Sequence, residues 1–229
     1  MNEEVLEDDG SVARRGASII AADAREAVAA RGHFLFAVSG GRTPWQMLAA
    51  LTGEDVPWAA VHLFQVDERV APAGDPDRNL THIRESLLGR VAMPPRNLHA
   101  MPVEGDAKDL RAAAGRYAAD LDLIAGSPAV LDLVHLGLGP DGHTASLVPN
   151  DPVLDVTDRA VALAGPYQGH LRMTLTFPVL DRARRILWLA TGAEKRPMLA
   201  RLRAGDRSIP AGRVSSERAL LLTDRAAAG

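Results

Sequence analysis

Residues 34–51 read FLFAVSGGRTPWQMLAAL and contain, in order, an apolar run, a glycine turn and an amphipathic segment. The run Phe34–Val38 is apolar at every position, which is typical of a strand covered on both faces of a sheet. Thr43 is a good N-cap and Pro44 fits the first helical turn, so a helix is predicted over Pro44–Leu51. A buried strand that leads through a tight turn into a helix is the first part of a βαβ unit.

The same alternation recurs along the chain. Further apolar runs predict strands over Val61–Val66, Leu131–Leu136, Ala160–Ala164, Ile186–Ala190 and Ala219–Leu222. Apolar residues at helical spacing predict helices over Val12–Arg31, Asn79–Leu88, Lys108–Ala125 and Glu194–Arg203. The alternation predicts an α/β fold, a Rossmann-like, doubly wound, mostly parallel sheet with helices on both faces. Arg90–Asp106, with three prolines, is interpreted as a connection inside one domain, and residues 1–229 are expected to form a single domain.

The composition excludes several classes of function. The 229 residues include 26 basic and 29 acidic side chains, a net charge of −3, which argues against nucleic acid as a partner. The absence of cysteine excludes disulfides, a thiol nucleophile and zinc–thiolate sites, and suits a reducing compartment. No apolar run approaches the roughly 18 residues of a membrane span, and the acidic start MNEEVLEDDG is unlike a signal peptide. We therefore expect a cytoplasmic enzyme or small-ligand binder with no membrane partner.

The loops after the strands are where open α/β sheets bind ligands. The first reads Ser39-Gly40-Gly41-Arg42-Thr43. Its glycines permit a tight turn and a close approach of the backbone to a ligand, and the following helix offers free N–H groups at the positive end of its dipole. These features predict an anion cradle, most naturally for phosphate, although a turn that needs glycine only for its geometry would look the same.

Two further stretches carry charge at the ends of strands. Asp67-Glu68-Arg69 follows the second strand, and Arg69 could bind phosphate with Asp67 or Glu68 holding its guanidinium. Asn79 is interpreted as the cap of the next helix. Lys195 stands near a helix start, where the helix dipole favours acidic residues, so a cation there suggests an anionic ligand.

The third loop, GLGPDGHTASL at 137–147, contains G-x-G-x-x-G and also places Asp141 and His143 at the mouth of the sheet. A dinucleotide site is disfavoured because Asp141 would repel a pyrophosphate and because the next strand ends in Gly165-Pro166, without the acidic residue that a ribose needs. Histidine is the commonest general base, and Asp141 could orient His143 or bind a sugar hydroxyl. The other six histidines are interpreted as structural.

Together these motifs resemble those of the 6-phosphogluconolactonases. The family shows S-G-G-x-T-P, D-E-R and G-x-G-x-D-G-H-x-A-S-L-F-P, which correspond here to 39–44, 67–69 and 137–149, with Val148 in place of the usual Phe. Two later family motifs are matched by RMTLTFP at 172–178 and TGAEK at 191–195. The resemblance runs from about Phe34 to Leu222, and the tail ALLLTD lacks the Trp that the family often has there.

The resemblance implies hydrolysis of 6-phospho-D-glucono-1,5-lactone in the oxidative pentose phosphate pathway, without a metal or an organic cofactor. It implies His143 as the general base, assisted by Asp141. It also implies a substrate and phosphate site formed by Ser39, Gly40, Gly41, Arg42, Thr43, Asp67, Arg69, Arg172 and Lys195. The expected partner is the sugar-phosphate lactone, bound by a monomer or a small homo-oligomer.

Four alternatives remain open. A glucosamine-6-phosphate deaminase or isomerase would share the D-E and G-x-D-G-H motifs, but such enzymes typically carry a Glu after the His where this chain has TASLVP at 144–149. A serine hydrolase could use Ser39, since AVSGG comes close to G-x-S-x-G. A sugar-phosphate sensor would need an added DNA-binding domain, for which 229 residues leave no room. The last alternative is the dinucleotide binder.

Overall fold

The computed structural model describes residues 1–104 and 107–229. Its strands are β1 Asn2–Leu6, β2 Phe34–Val38, β3 Val61–Gln65, β4 Asp67–Arg69, β5 Leu98–His99, β6 Leu133–Gly137, β7 Val161–Tyr167, β8 His170–Leu175, β9 Arg185–Ala190 and β10 Ala219–Asp224. Its helices are α1 Asp9–Arg31, α2 Arg42–Leu51, α3 Asn79–Ser86, α4 Ala107–Ala125, α5 Phe177–Arg182, α6 Arg196–Arg203 and α7 Arg225–Ala228.

Seven strands form one sheet in the order β1-β10-β9-β6-β2-β3-β5, and every neighbouring pair is parallel. The strand order reverses between β2 and β6, because the chain builds outward from β2 to β3 and β5, and from β6 to β9 and β10. Such a reversal leaves a crevice beyond the carboxyl ends of the two central strands, where ligands bind in folds of this kind.

Helices cover both faces of this sheet. The buried side chains of α1, α2 and α3 form one hydrophobic cluster with alternate residues of the strands. Those of α4, α5 and α6 form a second cluster on the opposite face, which includes the fully buried Trp188. The predicted α/β fold, with a mostly parallel sheet and helices on both faces, is confirmed.

One predicted strand belongs elsewhere. The strand predicted over Ala160–Ala164 corresponds, from Val161, to the first part of β7. This strand pairs antiparallel with β8, and β8 pairs antiparallel with β4 in a separate three-stranded sheet. Apolar content alone could not separate the two sheets, because β7 is also buried against the second hydrophobic cluster. The β7–β8 hairpin reverses at Gln168 and Gly169, whose φ angles of 50° and 83° suit a tight two-residue turn.

The edge strands β1 and β5, the strands β4 and β8 of the small sheet, and the short helices α5 and α7 were not predicted. The connection at Arg90–Asp106 holds only short turns and β5 within its described part, and its last two residues lie outside the described residues. In the part of the chain that the structure describes, none of the helices has the length and apolar character that a membrane span requires.

Candidate active site

The crevice between β2 and β6 opens into a cavity of about 230 Å³. Eight of the eleven predicted site residues line it: Ser39, Gly40, Gly41, Asp67, Arg69, His143, Arg172 and Lys195. A neighbouring cavity of about 350 Å³ shares Gly40, Gly41 and Lys195 and adds Arg42 and Thr43. Asp141 lines neither cavity and lies behind the imidazole of His143. The fold therefore gathers at one crevice residues that lie up to 156 positions apart in the sequence.

His143 is held in the loop after β6 by its own neighbours. Its ring lies against the Cα of Gly139, where an added Cβ would approach Nδ1 to 2.1 Å, so that position has no room for a side chain. The backbone N–H of Gly139 donates to the carbonyl of His143 at 2.8 Å and closes the loop. The side chain of His143 is 19% exposed. The ring is thus packed on one side and open to the cavity on the other.

Asp141 determines which ring nitrogen of His143 is free. Its Oδ1 lies 2.6 Å from His143 Nδ1 and accepts from the His143 backbone N–H at 3.1 Å. Burial by itself would raise the pKa of Asp141, but these hydrogen bonds and the charge of His143 outweigh burial and lower it. An ionised carboxylate can only accept, so Nδ1 carries the proton. Nε2 has no hydrogen-bond partner among the described residues, and its lone pair is available to take a proton.

The loop after β2 presents backbone donors to the cavity. The N–H groups of Gly40 and Gly41 donate to no described residue, and Gly41 has a φ of 134°, which favours glycine. The prediction that Thr43 caps α2 is wrong. Gly41 occupies the N-cap position without a side-chain hydrogen bond, and the Thr43 hydroxyl lies 2.7 Å from that of Thr191. Because no side chain of the described residues satisfies the first N–H groups of α2, they remain available to an anion.

Asp67 is buried at the floor of the cavity. Its two oxygens accept from the hydroxyls of Ser39 at 3.1 Å and Ser146 at 2.7 Å. Burial raises the pKa of Asp67, while the hydrogen bond from Ser146 and the charge of Arg172 oppose that rise. Asp67 therefore fixes the Ser39 side chain beneath the glycine cradle.

The prediction that Asp67 or Glu68 holds the Arg69 guanidinium is wrong. Arg69 Nη1 donates to the backbone carbonyl of Asp77 at 2.7 Å, and among the described residues neither carboxylate bonds to the guanidinium. Glu68 is fully buried and accepts from the backbone N–H groups of Asn79 and Leu80 instead. Three consecutive charges cannot all face a ligand from one short strand, because alternate side chains of a strand point to opposite faces.

Asn79 is the first residue of α3 and not its cap, which corrects the sequence interpretation; Arg78 precedes the helix. The amide Nδ2 of Asn79 donates to the carbonyl of Asp67 at 2.9 Å. Its Oδ1 lies against Gly40, where an added Cβ would approach it to 2.1 Å. Asn79 lines the cavity and belongs to the site residues that sequence reasoning missed.

Lys195 and Arg172 bring positive charge to the cavity from two separate elements. Lys195 ends a short turn after β9, just before α6, and its Nζ donates to the Leu138 carbonyl at 2.8 Å. Burial lowers the pKa of Lys195, and the carboxylates of Glu194 and Asp141 oppose that effect. Arg172, on β8, is 3% exposed and donates to the carbonyl of Tyr167 at 3.1 Å.

Sequence reasoning also missed Tyr167 and Gln168. Tyr167 contacts both Asp141 and His143, and Gln168 lines the cavity. The strand Ala160–Ala164 was expected to stop before them, and Gln-Gly is a weaker turn signal than Asn-Gly or Asp-Gly. The sequence itself gives no signal that the strand continues, because Gly165 and Pro166 interrupt the apolar run.

Comparison with known proteins identifies the family and supports the fold. The family model described as glucosamine-6-phosphate isomerases/6-phosphogluconolactonase matches residues 7–222. The chain is 35% identical to a 6-phosphogluconolactonase of Nostoc sp., over 99% of this chain and 96% of that protein. It is 40% identical to one of Mycobacterium tuberculosis, over 88% of this chain and 87% of that protein. The solved structure of 6-phosphogluconolactonase from Trypanosoma brucei superposes with a TM-score of 0.88 at 26% identity, over 99% of this chain and 97% of that one.

Proposed function

Because the chain belongs to the glucosamine-6-phosphate isomerase/6-phosphogluconolactonase family, we propose that it hydrolyses 6-phospho-D-glucono-1,5-lactone to 6-phospho-D-gluconate in the oxidative pentose phosphate pathway. The observation that carries the proposal is that His143, with Asp141 behind it, lines a cavity that three cationic side chains also line. These are Arg69, Arg172 and Lys195. A lactone is an activated ester, so a positioned base and a bound water suffice for its hydrolysis.

The unprotonated Nε2 of His143 takes a proton from the attacking water, whose oxygen forms a bond to C1 of the lactone. The carbonyl oxygen then carries the negative charge of the tetrahedral intermediate. As this intermediate collapses, the bond between C1 and the ring oxygen breaks, and the proton on Nε2 passes to that oxygen, which becomes the C5 hydroxyl. Asp141 stabilises the imidazolium that exists between these two transfers through its 2.6 Å contact with Nδ1.

The phosphate of the substrate needs positive charge and N–H donors around it. We assign it to the backbone cradle of Ser39–Thr43 together with Arg69 and Lys195, with Arg172 as a further cation. Backbone N–H groups and ammonium or guanidinium donors form short, charge-assisted hydrogen bonds to phosphate oxygens. Binding of this remote group contributes to catalysis by fixing C1 against the base and its water.

The arrangement favours this reaction over two of the alternatives. A deaminase or isomerase of the kind considered above needs a carboxylate after the histidine, and residues 144–149 include none. A serine hydrolase needs a base for Ser39, but Ser39 Oγ donates to the buried Asp67, and no histidine nitrogen of the described chain lies within hydrogen-bonding distance of that oxygen.

The proposal is tested by following freshly prepared 6-phospho-D-glucono-1,5-lactone by ³¹P NMR with and without the protein. The expected result is conversion to the open acid much faster than the spontaneous reaction. Glucono-1,5-lactone, which lacks the phosphate and is followed by ¹H NMR instead, should give a lower kcat/KM. Glucosamine 6-phosphate serves as the comparison substrate. Release of ammonia from it, or a lactone half-life equal to the spontaneous one, would overturn the proposal.

A further inference from the structure

The structure assigns to Tyr167 the role of a positioning residue for His143, acting through Asp141; this inference rests on the proposed function. Tyr167 ends β7 and reaches the loop after β6 from the small antiparallel sheet. Its hydroxyl donates to Asp141 Oδ2 at 3.1 Å, while Asp141 Oδ1 takes the His143 ring at 2.6 Å. Each oxygen of the carboxylate is thus occupied by a protein donor.

The available donors and acceptors determine where the proton of the Tyr167 hydroxyl points. Tyr167 Oη also lies 3.3 Å from His143 Nδ1, so it has two neighbours for one proton. Because Nδ1 already carries a proton directed at Asp141, it cannot accept from the hydroxyl. The hydroxyl therefore donates to the carboxylate and holds it in the rotamer in which Oδ1 faces the imidazole.

Tyr167 is itself firmly held. Its ring meets that of His143 edge to face, with centroids 5.1 Å apart. The guanidinium carbon of Arg172 lies 5.1 Å from the centroid of the tyrosine ring, and Arg172 also donates to the Tyr167 carbonyl at 3.1 Å. Because both its ring and its backbone are held, Tyr167 can fix the position of the Asp141 carboxylate, as a residue that supports a catalytic pair must do.

This arrangement favours one of the two roles left open for Asp141. With its oxygens bonded to His143 and Tyr167, Asp141 is placed to orient the base. The charged groups that face the network from other elements are Arg172 on β8 and Lys195 after β9. Neither of them forms a hydrogen bond to the Tyr167 hydroxyl, so its removal tests the contact with Asp141 directly.

The decisive variant is Tyr167→Phe, which removes one oxygen and keeps the ring. We expect kcat for the lactone to fall on the order of tenfold with KM changed less than twofold, as for loss of a hydrogen bond to a charged group. The acidic limb of the kcat/KM profile should move to lower pH, because a carboxylate that is free to turn away from Nδ1 stabilises the protonated imidazole less. Tyr117→Phe removes the only other tyrosine hydroxyl, which is buried against Gln65 and His99, and should leave kcat and the limb unchanged.

A double-mutant cycle distinguishes positioning from a general structural role. If Tyr167 acts through Asp141, the variant that combines Tyr167→Phe with Asp141→Asn should lose no more kcat than Asp141→Asn alone. Multiplicative losses, or a Tyr167→Phe variant with wild-type kcat and pH profile, would overturn the inference while leaving lactone hydrolysis by the wild-type protein intact.

A readout that does not depend on turnover uses ¹⁵N-labelled histidine. The NMR signal of His143, identified by its loss in His143→Gln, should show the Nδ1–H tautomer in the wild-type protein and a mixture of tautomers in Tyr167→Phe. Identical tautomers in the two proteins would refute the inference, whatever the substrate of the enzyme.

Discussion

At the scale of single residues, two histidines eight positions apart show how burial separates function from structure. His135, in the middle of β6, is completely buried, accepts from the Ser39 backbone N–H through Nδ1, and has no partner for Nε2 among the described residues. His143, in the loop after that strand, is partly exposed and has a carboxylate at Nδ1 and the cavity at Nε2. The same side chain is a fixed neutral group in one place and a candidate base in the other.

Replacement of His143 by Gln should lower kcat for lactone hydrolysis by about 10² to 10⁴, the usual contribution of a positioned general base. KM should change less than threefold, because the phosphate contacts remain. Steady-state kinetics across substrate concentrations measures both quantities. His33→Gln, at the opposite end of β2, is the control and should retain wild-type kcat; a His143→Gln variant with kcat within tenfold of wild type would remove His143 from the role of base.

Burial lowers the pKa of His135 to about 3, well below that of an unfolded histidine. Between pH 6.5 and 3 the unfolded chain takes up a proton at this position and the folded protein does not, so stability falls as pH falls. By pH 4 the loss from this residue amounts to about 3 kcal/mol.

Urea unfolding of the wild-type protein and of His135→Gln at pH 7.5, 5 and 4 isolates that contribution. The amide keeps an acceptor for Ser39 N but does not titrate, so the variant should lose less free energy of unfolding on acidification. Parallel losses in the two proteins would contradict the assignment of a neutral buried His135.

At the scale of elements, Glu68 joins the strand β4 to the start of the helix α3. Its carboxylate accepts from the backbone N–H groups of Asn79 and Leu80 at 2.8 and 2.9 Å, which are otherwise unsatisfied at a helix N-terminus. The buried guanidinium of Arg78 lies 3.4 Å away and balances its charge. The element that carries Asn79 is thus fastened to the strand that carries Asp67 and Arg69.

Glu68→Gln should lower the free energy of unfolding by about 3 kcal/mol, because it leaves the buried Arg78 charge without its buried partner and places an amide donor against backbone donors. Urea or thermal unfolding at pH 7.5 measures the loss. Glu85→Gln, on the exposed side of the same helix, is the matched control and should change stability by less than about 0.5 kcal/mol. Equal losses in the free energy of unfolding for the two substitutions would show that Glu68 does not hold α3 to β4.

At the scale of the whole molecule, the proposed phosphate site exists only because separate units meet at one crevice. The cradle comes from the turn after β2, Arg69 from β4, Arg172 from β8 and Lys195 from the turn after β9. Parallel strands deliver their carboxyl ends to the same edge of the large sheet, and the small sheet adds Arg69 and Arg172 from the side.

Lys195→Met should raise KM for 6-phospho-D-glucono-1,5-lactone about 10- to 100-fold, because a charge-assisted contact to phosphate is lost. KM for glucono-1,5-lactone, which has no phosphate, should change less than twofold. Arg111→Met, a charge removed from the exposed side of α4, is the control and should leave both values unchanged. A similar rise in KM for both lactones would mean that Lys195 contacts the sugar or stabilises the loop, and does not bind the phosphate.

The local patterns of the sequence determined five of the seven strands of the large sheet and the loops in which the proposed chemistry lies. Phe34–Val38 forms a strand with the predicted bounds, and the helix predicted over Lys108–Ala125 differs by one residue. The spacing of apolar residues indicates which face of a segment is buried, and glycine indicates where the backbone turns. Neither signal requires knowledge of the elements that pack against the segment. The motif loops followed from the same local signals.

Only the tertiary structure decided which side chains meet. That Thr43 bonds to Thr191 rather than capping α2, that Glu68 anchors α3 rather than holding Arg69, and that Tyr167 reaches Asp141 across 26 positions all depend on how separate elements pack. The physical reason is that a hydrogen bond forms only if donor and acceptor are placed to within a few tenths of an ångström of the right distance. For groups far apart in sequence, that placement depends on the packing of whole elements. Hydrophobic patterning constrains the burial of each segment but not the register and angle at which it meets the next.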